Sequence, residues 1–320
     1  MFAAICILYP VILAFDILAA RPKRVLFVAH RRRILEASME SYQRVLGDRY
    51  SYAIYQRGNG TTASCTFAMV ESLTRHLDDF APDAFDYLVI DETHRAGAAG
   101  YRRVLEHFAP SFVLGMTATP QRTDGYDVFA LYNHVIAYQI TLQDALREDM
   151  LAPFHYFGIA DLGIDDERQD DLALFKRLTS EERVNHITAK IEDYSVSKQG
   201  RRGLVFCSRN DEARMLSAEF NARGYRTRAL SGADSDVVRD RAIEELERGD
   251  LQYLFTVDIF NEGVDIPSVN QIIMLRPTES AIVFVQQLGR GLRKFSGKES
   301  VLVLDFIGIY QNNYLVPIAL

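Results

Sequence analysis

Tyr87-Leu-Val-Ile-Asp-Glu-Thr-His94 is the stretch on which the fold turns. Four apolar residues run without alternation, the pattern of a strand buried on both faces. They stop abruptly at two adjacent carboxylates. A buried strand tipped with acids belongs in a parallel sheet covered by helices, where ligands meet the C-terminal ends of the strands. Asp91 at such a tip suits a magnesium ion, held through water, because magnesium prefers oxygen ligands and keeps part of its hydration shell. Glu92 beside it suits a general base for an attacking water. A solvated acidic turn is the plainer alternative.

Outward from this stretch the same pattern repeats. Buried strands are expected at Arg24–Ala29, Phe112–Met116, Gly203–Cys207, Tyr253–Thr256, Gln271–Leu275 and Val301–Phe306. Amphipathic spacing places helices between many of them. Ile34–Leu46 carries apolar residues at helical intervals and meets a stop at Gly47. Asp211–Ala222 is a second helix. Ser235–Arg248 is a third, with Val238, Ala242, Ile243 and Leu246 on one face. Strand–helix alternation of this kind occurs twice, so the fold class is α/β with two parallel-sheet lobes. The expected organisation is a first lobe over residues 1–137, a connection over 138–200 and a second lobe over 201–320. The acidic patch Asp161–Asp171 reads as an exposed loop within the connection.

Composition excludes several classes. The net charge of −7 argues against a protein that coats nucleic acid electrostatically. It leaves room for a local basic groove, and Arg21, Lys23, Arg24, His30, Arg31, Arg32 and Arg33 cluster. Cys6, Cys65 and Cys207 are far apart and odd in number, which fits neither a disulfide framework nor a zinc site. A reducing, cytoplasmic setting is the simplest expectation. Met1–Ala20 is almost wholly apolar, but Asp16 interrupts it and no basic residue precedes it. Pro10 would break a single membrane helix there. A buried helix over Val11–Ala20 is expected instead, with no membrane partner.

The other strand tips carry chemistry of their own. Thr117-Ala-Thr119-Pro offers hydroxyls that can relay hydrogen bonds, although alone it is only a turn that starts a helix. In the segment from Thr256 to Pro267, Gly263 permits a tight turn, Asp265 suits a ribose hydroxyl and Thr256 suits a backbone phosphate. An ordinary strand–helix loop explains the same residues. Gln286-Gln-Leu-Gly-Arg290-Gly-Leu-Arg293 puts two guanidiniums on one helical face. Their planar donor forks fit phosphate oxygens and the charge that develops in phosphoryl transfer.

In this order the segments resemble the motifs of superfamily 2 helicases of the DEAD/DEAH type, over nearly the whole chain from Val11 to Phe306. Ala29-His-Arg31 is similar to motif Ia, Ala68–Leu73 to Ib, Asp91–His94 to II and Thr117–Thr119 to III. Val205–Ser208 is similar to IV, Thr256–Asp265 to V and Gln286–Arg293 to VI. The wording of the second half is nearest the group of Rad25 and the type III restriction subunit. The resemblance implies two RecA-like lobes with ATP and magnesium between them and a DNA or RNA strand across the top. Asp91 and Glu92 would come from the first lobe, and Arg290 and Arg293 from the second. Gly263, Asp265 and Gln286 match nucleotide-side positions. Arg31, Ser208, Thr256, Thr117, Thr119 and His94 match positions that hold the strand or couple it to hydrolysis. Contacts to phosphates imply little sequence preference.

The resemblance fails at one motif. No Gly-x-x-x-x-Gly-Lys-Ser/Thr occurs in the chain, and Met1–Pro10, where the family places it, holds neither glycine nor lysine. That loop's amides, lysine and hydroxyl grip the triphosphate and its metal. A truncated reading frame, with any upstream domain missing, is the expectation, and with it a chain that hydrolyses ATP poorly. The alternative is a catalytically silent module that binds nucleic acid or a protein. A two-lobed dinucleotide oxidoreductase is disfavoured, because no Gly-x-Gly-x-x-Gly follows a strand.

Overall fold

The computed structural model describes residues 9–56, 62–93, 99–117, 127–162, 171–195, 200–257, 266–276, 288–289 and 291–307. The chain divides into two compact units, Met1–Leu142 and Gln143–Leu320.

The first unit runs α1 (Tyr9–Ala20), β1 (Val25–Ala29), α2 (Arg32–Leu46), β2 (Tyr52–Ile54), β3 (Cys65–Met69), α3 (Val70–Thr74), β4 (Tyr87–Ile90), α4 (Ala99–His107) and β5 (Phe112–Gly115). Its five strands are ordered β2-β3-β1-β4-β5, and every pair is parallel. Successive side chains of a strand point to opposite faces, and the core divides accordingly. Leu26, Val28, Leu88 and Ile90 meet Tyr101 and Val104 of α4. Val25, Phe27, Ala29 and Val89 meet Leu13, Ala14 and Ile17 of α1 and Leu35, Tyr42 and Leu46 of α2. Phe27, Tyr42 and Phe67 pack together with ring centroids 5.3–6.0 Å apart, Tyr42 meeting both phenylalanines edge to face. Each such buried ring contributes about 1.5–3 kcal/mol of transfer free energy.

Pro10 does not break α1, because it is the helix's second residue, where a missing N–H costs nothing. No helix among the described residues is long and apolar enough to cross a membrane.

The second unit runs α5 (Leu142–Arg147, at the unit boundary), β6 (Phe154–Ala160), α6 (Asp171–Leu178), α7 (Glu181–Tyr194), β7 (Gly203–Phe206), α8 (Asn210–Ala222), β8 (Thr227–Leu230), α9 (Asp236–Arg248), β9 (Tyr253–Thr256), β10 (Gln271–Met274) and β11 (Val301–Ile307). Its strands are ordered β6-β11-β10-β7-β9-β8 and again pair in parallel. Parallel strands connected by helices, twice over, make both units RecA-like in architecture.

Part of the stretch 138–200 joins this sheet, since all seven residues of β6 pair with β11. The acidic patch departs from its expected exposure at Asp161. That side chain is fully buried and hydrogen-bonded to Arg183 of α7, while residues 163–170 lie outside the described residues. On α9, Ala242, Ile243 and Leu246 are buried as expected, but Val238 is exposed. It sits in the first turn, where the Ser235 hydroxyl caps the helix by accepting from the Val238 amide.

Candidate active site and strand-tip loops

The acid pair sits where β4 ends between its neighbours. The Asp91 amide donates to the Val28 carbonyl of β1 at 2.9 Å, and the Thr93 amide donates to Met116, just past β5, at 2.8 Å. The turn is thus tied to the strands on both sides. Asp91 is 5% exposed and Glu92 6%, unlike a solvated acidic turn. Glu92 has φ +50, in the left-handed region that a long side chain adopts at a cost. Replacing Glu92 with asparagine, which tolerates that region, should raise stability by about 1 kcal/mol. Urea unfolding of the two proteins checks this.

A neighbour that sequence reasoning missed supports this turn. The Tyr132 hydroxyl hydrogen-bonds the Thr93 hydroxyl, and its ring fills the space beside Gly115 where a Cβ would point. No local pattern marks Tyr132, which follows Thr93 by 39 residues. Thr117 is half-buried immediately beyond Met116. His94 and Thr119 lie outside the described residues. At the tip of β1, Arg31 is half-buried in an extended conformation at the start of α2.

The Asp91 carboxylate at this tip supplies hard oxygens, which fit a magnesium ion held with the help of water and phosphate oxygens. A triphosphate grip does not fit this unit's own residues. The only lysine in residues 1–142 is Lys23, two residues before β1. It therefore lies at the opposite end of a five-residue strand, about 16 Å from the acid tip.

In the second unit, Thr256 ends β9 fully buried, its hydroxyl without a hydrogen-bond partner among the described residues. Ser208 is exposed just past β7, and its amide donates to Glu212 Oε2 at 2.8 Å. Gly263, Asp265, Gln286 and Arg290 lie outside the described residues. Arg293 is half-buried beyond Gly291 and Leu292. Gly291 packs so closely that a Cβ would stand 3.1 Å from Val269 and Ile272. The Lys298 ammonium joins these loops by donating to the carbonyls of Pro267, Val269 and Gly291. Sequence reasoning passed over Lys298, because its partners are backbone carbonyls. Lys298→Met strips a donor from three carbonyls and should cost about 2 kcal/mol, read by denaturant unfolding.

A fully buried polar cluster among the described residues is another feature that sequence reasoning missed. Arg183 and its partners Asp161 and Glu212 have no exposed side-chain surface. Arg183 Nε donates to Asp161 at 3.0 Å, Nη2 to Asp161 at 2.8 Å and to the Leu275 carbonyl at 3.2 Å, and Nη1 to Leu178 O at 2.7 Å and Glu212 Oε1 at 2.8 Å. Burial pushes the Glu212 carboxyl up from its ordinary value against the pull of Arg183. The one sequence signal is a cation in the first turn of α7, where the helix dipole favours anions.

Residues 11–122 match the family model of the type III restriction enzyme res subunit, and residues 182–295 that of the helicase conserved C-terminal domain. IRC3 of Saccharomyces cerevisiae is 26% identical over 253 residues, covering 75% of this chain and 37% of that protein. The type I restriction enzyme EcoAI endonuclease subunit of Escherichia coli is 24% identical over 326 residues, covering 89% of this chain and 40% of that protein. Among solved structures, the ATP-dependent type ISP restriction-modification enzyme LlaBIII bound to DNA matches with a TM-score of 0.69 at 14% identity, covering 100% of this chain and 27% of that chain. The chain spans less than half the length of each of these proteins.

Proposed function

The chain belongs to the superfamily 2 helicases, in the group of the type III restriction subunit, and from that premise we propose that it is the core of a motor that couples ATP hydrolysis to movement along DNA. The observation that carries this reading is the buried acid pair at the tip of β4, tied to the ends of β1 and β5. Magnesium and ATP, when bound, supply the metal charge and the phosphoryl group. Asp91 would hold the metal through water, and Glu92 would take the proton of the attacking water. Arg290 and Arg293 would meet phosphate oxygens, with Gly263, Asp265 and Gln286 on the nucleotide side. Thr117, Thr119, His94 and Thr256 would couple this chemistry to the strand.

The chain's own residues support the two halves of this function unequally. With Lys23 at the far end of β1, the first unit has no lysine to neutralise a triphosphate beside Asp91. The 320-residue chain is therefore expected to bind a nucleic-acid strand without appreciable ATP turnover. Arg31 and Ser208 would contact phosphates rather than bases, so affinity should depend on salt and little on sequence. DNA is favoured because LlaBIII was solved bound to it.

Titrating fluorescent single-stranded oligonucleotides of unrelated sequence at two salt concentrations tests this reading. The expected result is equal affinity across sequences, with a loss of tenfold or more between about 50 and 200 mM salt. Binding confined to one sequence and indifferent to salt would contradict it. RNA oligonucleotides in the same titration decide between the two nucleic acids.

A further inference from the structure

We propose that the buried Arg183–Asp161–Glu212 network is a positioning element that holds the Ser208–Arg209 loop and the exit of β10 in register for phosphate contact. The proposal rests on the reading of Ser208 as a strand-side residue.

Three observations carry it. First, all five N–H donors of Arg183 are engaged, and the acceptors come from four separate places: Asp161 just past β6, Leu178 at the end of α6, Glu212 in the first turn of α8, and Leu275 just past β10. A lysine has three donors and no planar fork, so it cannot span the same set. Second, Glu212 passes the constraint on. Its Oε1 accepts from Arg183 and its Oε2 accepts from the Ser208 amide, both at 2.8 Å. The loop after β7 is therefore fixed through one carboxylate to the same guanidinium that fixes Leu275, the residue before Arg276. Third, the network is an inefficient way to build a core. One guanidinium faces two carboxylates, and none of the three has exposed side-chain surface. Apolar residues of similar volume often fill such a site with equal or greater stability. What an apolar filling cannot do is set the spacing of two loops by directional hydrogen bonds.

The test separates support of the fold from placement of the loops. In the full chain, Arg183→Met, Asp161→Leu and Glu212→Leu are combined, which removes all three charges together. Stability is followed by denaturant unfolding and binding by single-stranded DNA titration at several salt concentrations. The expected result is an unfolding midpoint at or above the wild type, with affinity at least tenfold weaker and a shallower salt dependence. Affinity within twofold of the wild type would overturn the proposal. Glu212→Gln alone serves as a milder variant. Its single carbonyl cannot replace both carboxylate oxygens, so a loss of roughly two- to fivefold is expected, and unchanged affinity would again overturn the proposal. If the wild-type chain itself fails to bind the oligonucleotide, the proposed function falls, and the positioning role falls with it.

Discussion

Arg183→Met alone should lower the stability of the chain by about 3–5 kcal/mol, the cost of leaving buried charge without its partner. Methionine fills much of the volume, but Asp161 and Glu212 would face each other across a site with no exposed side-chain surface. The carbonyls of Leu178 and Leu275 would lose their donors as well. The chain has no tryptophan, so far-UV circular dichroism during urea unfolding is the suitable readout. A loss below about 1 kcal/mol would place the network among dispensable surface-type pairs.

Asp305→Asn should raise stability at neutral pH by about 3 kcal/mol and change it little near pH 4. Asp305 lies on β11 and accepts a hydrogen bond from the Tyr156 hydroxyl of β6 at 2.8 Å. Burial raises its pKa from 3.8 to about 6, and the Tyr156 hydrogen bond opposes that rise only in part. The sign follows from proton uptake. Between about pH 4 and 6 the folded chain holds a proton that the unfolded chain has released. Its contribution to stability is therefore present below pH 4 and is lost as pH rises through 6. Asparagine accepts the same Tyr156 hydrogen bond and carries no charge to bury. Unfolding curves at pH 4 and pH 7 for both proteins check this, and an equal change at the two values would contradict it.

Much of the fold was legible because buried parallel strands are uninterrupted apolar runs. Tyr87–Ile90 and Tyr253–Thr256 begin and end where the pattern predicts, and each of the other expected strands differs at one end by one residue. Four strands escaped notice: Cys65–Met69 is buried but its apolar run is interrupted by Thr66, and the other three lack the pattern. Thr227–Leu230 contains Arg228, Tyr52–Ile54 is three half-buried residues, and Phe154–Ala160 lies at the sheet edge with much of its surface in solvent. In the candidate site, Asp91 and Glu92 were legible because two acids after a buried strand have few structural explanations. Tyr132, Lys298 and Arg183 were not. Their partners are backbone carbonyls or side chains brought near only by folding, as with Arg183 and Leu275, 92 residues apart. Spacing along the chain carries no trace of such pairs.

The most direct test of the central claim is ATP hydrolysis by the purified 320-residue chain with magnesium and single-stranded DNA, wild type beside Glu92→Gln. The expected result is turnover at background in both, because the acid pair is present while the lysine that would grip the phosphates is not. Rapid turnover by the wild type that Glu92→Gln abolishes would contradict the account.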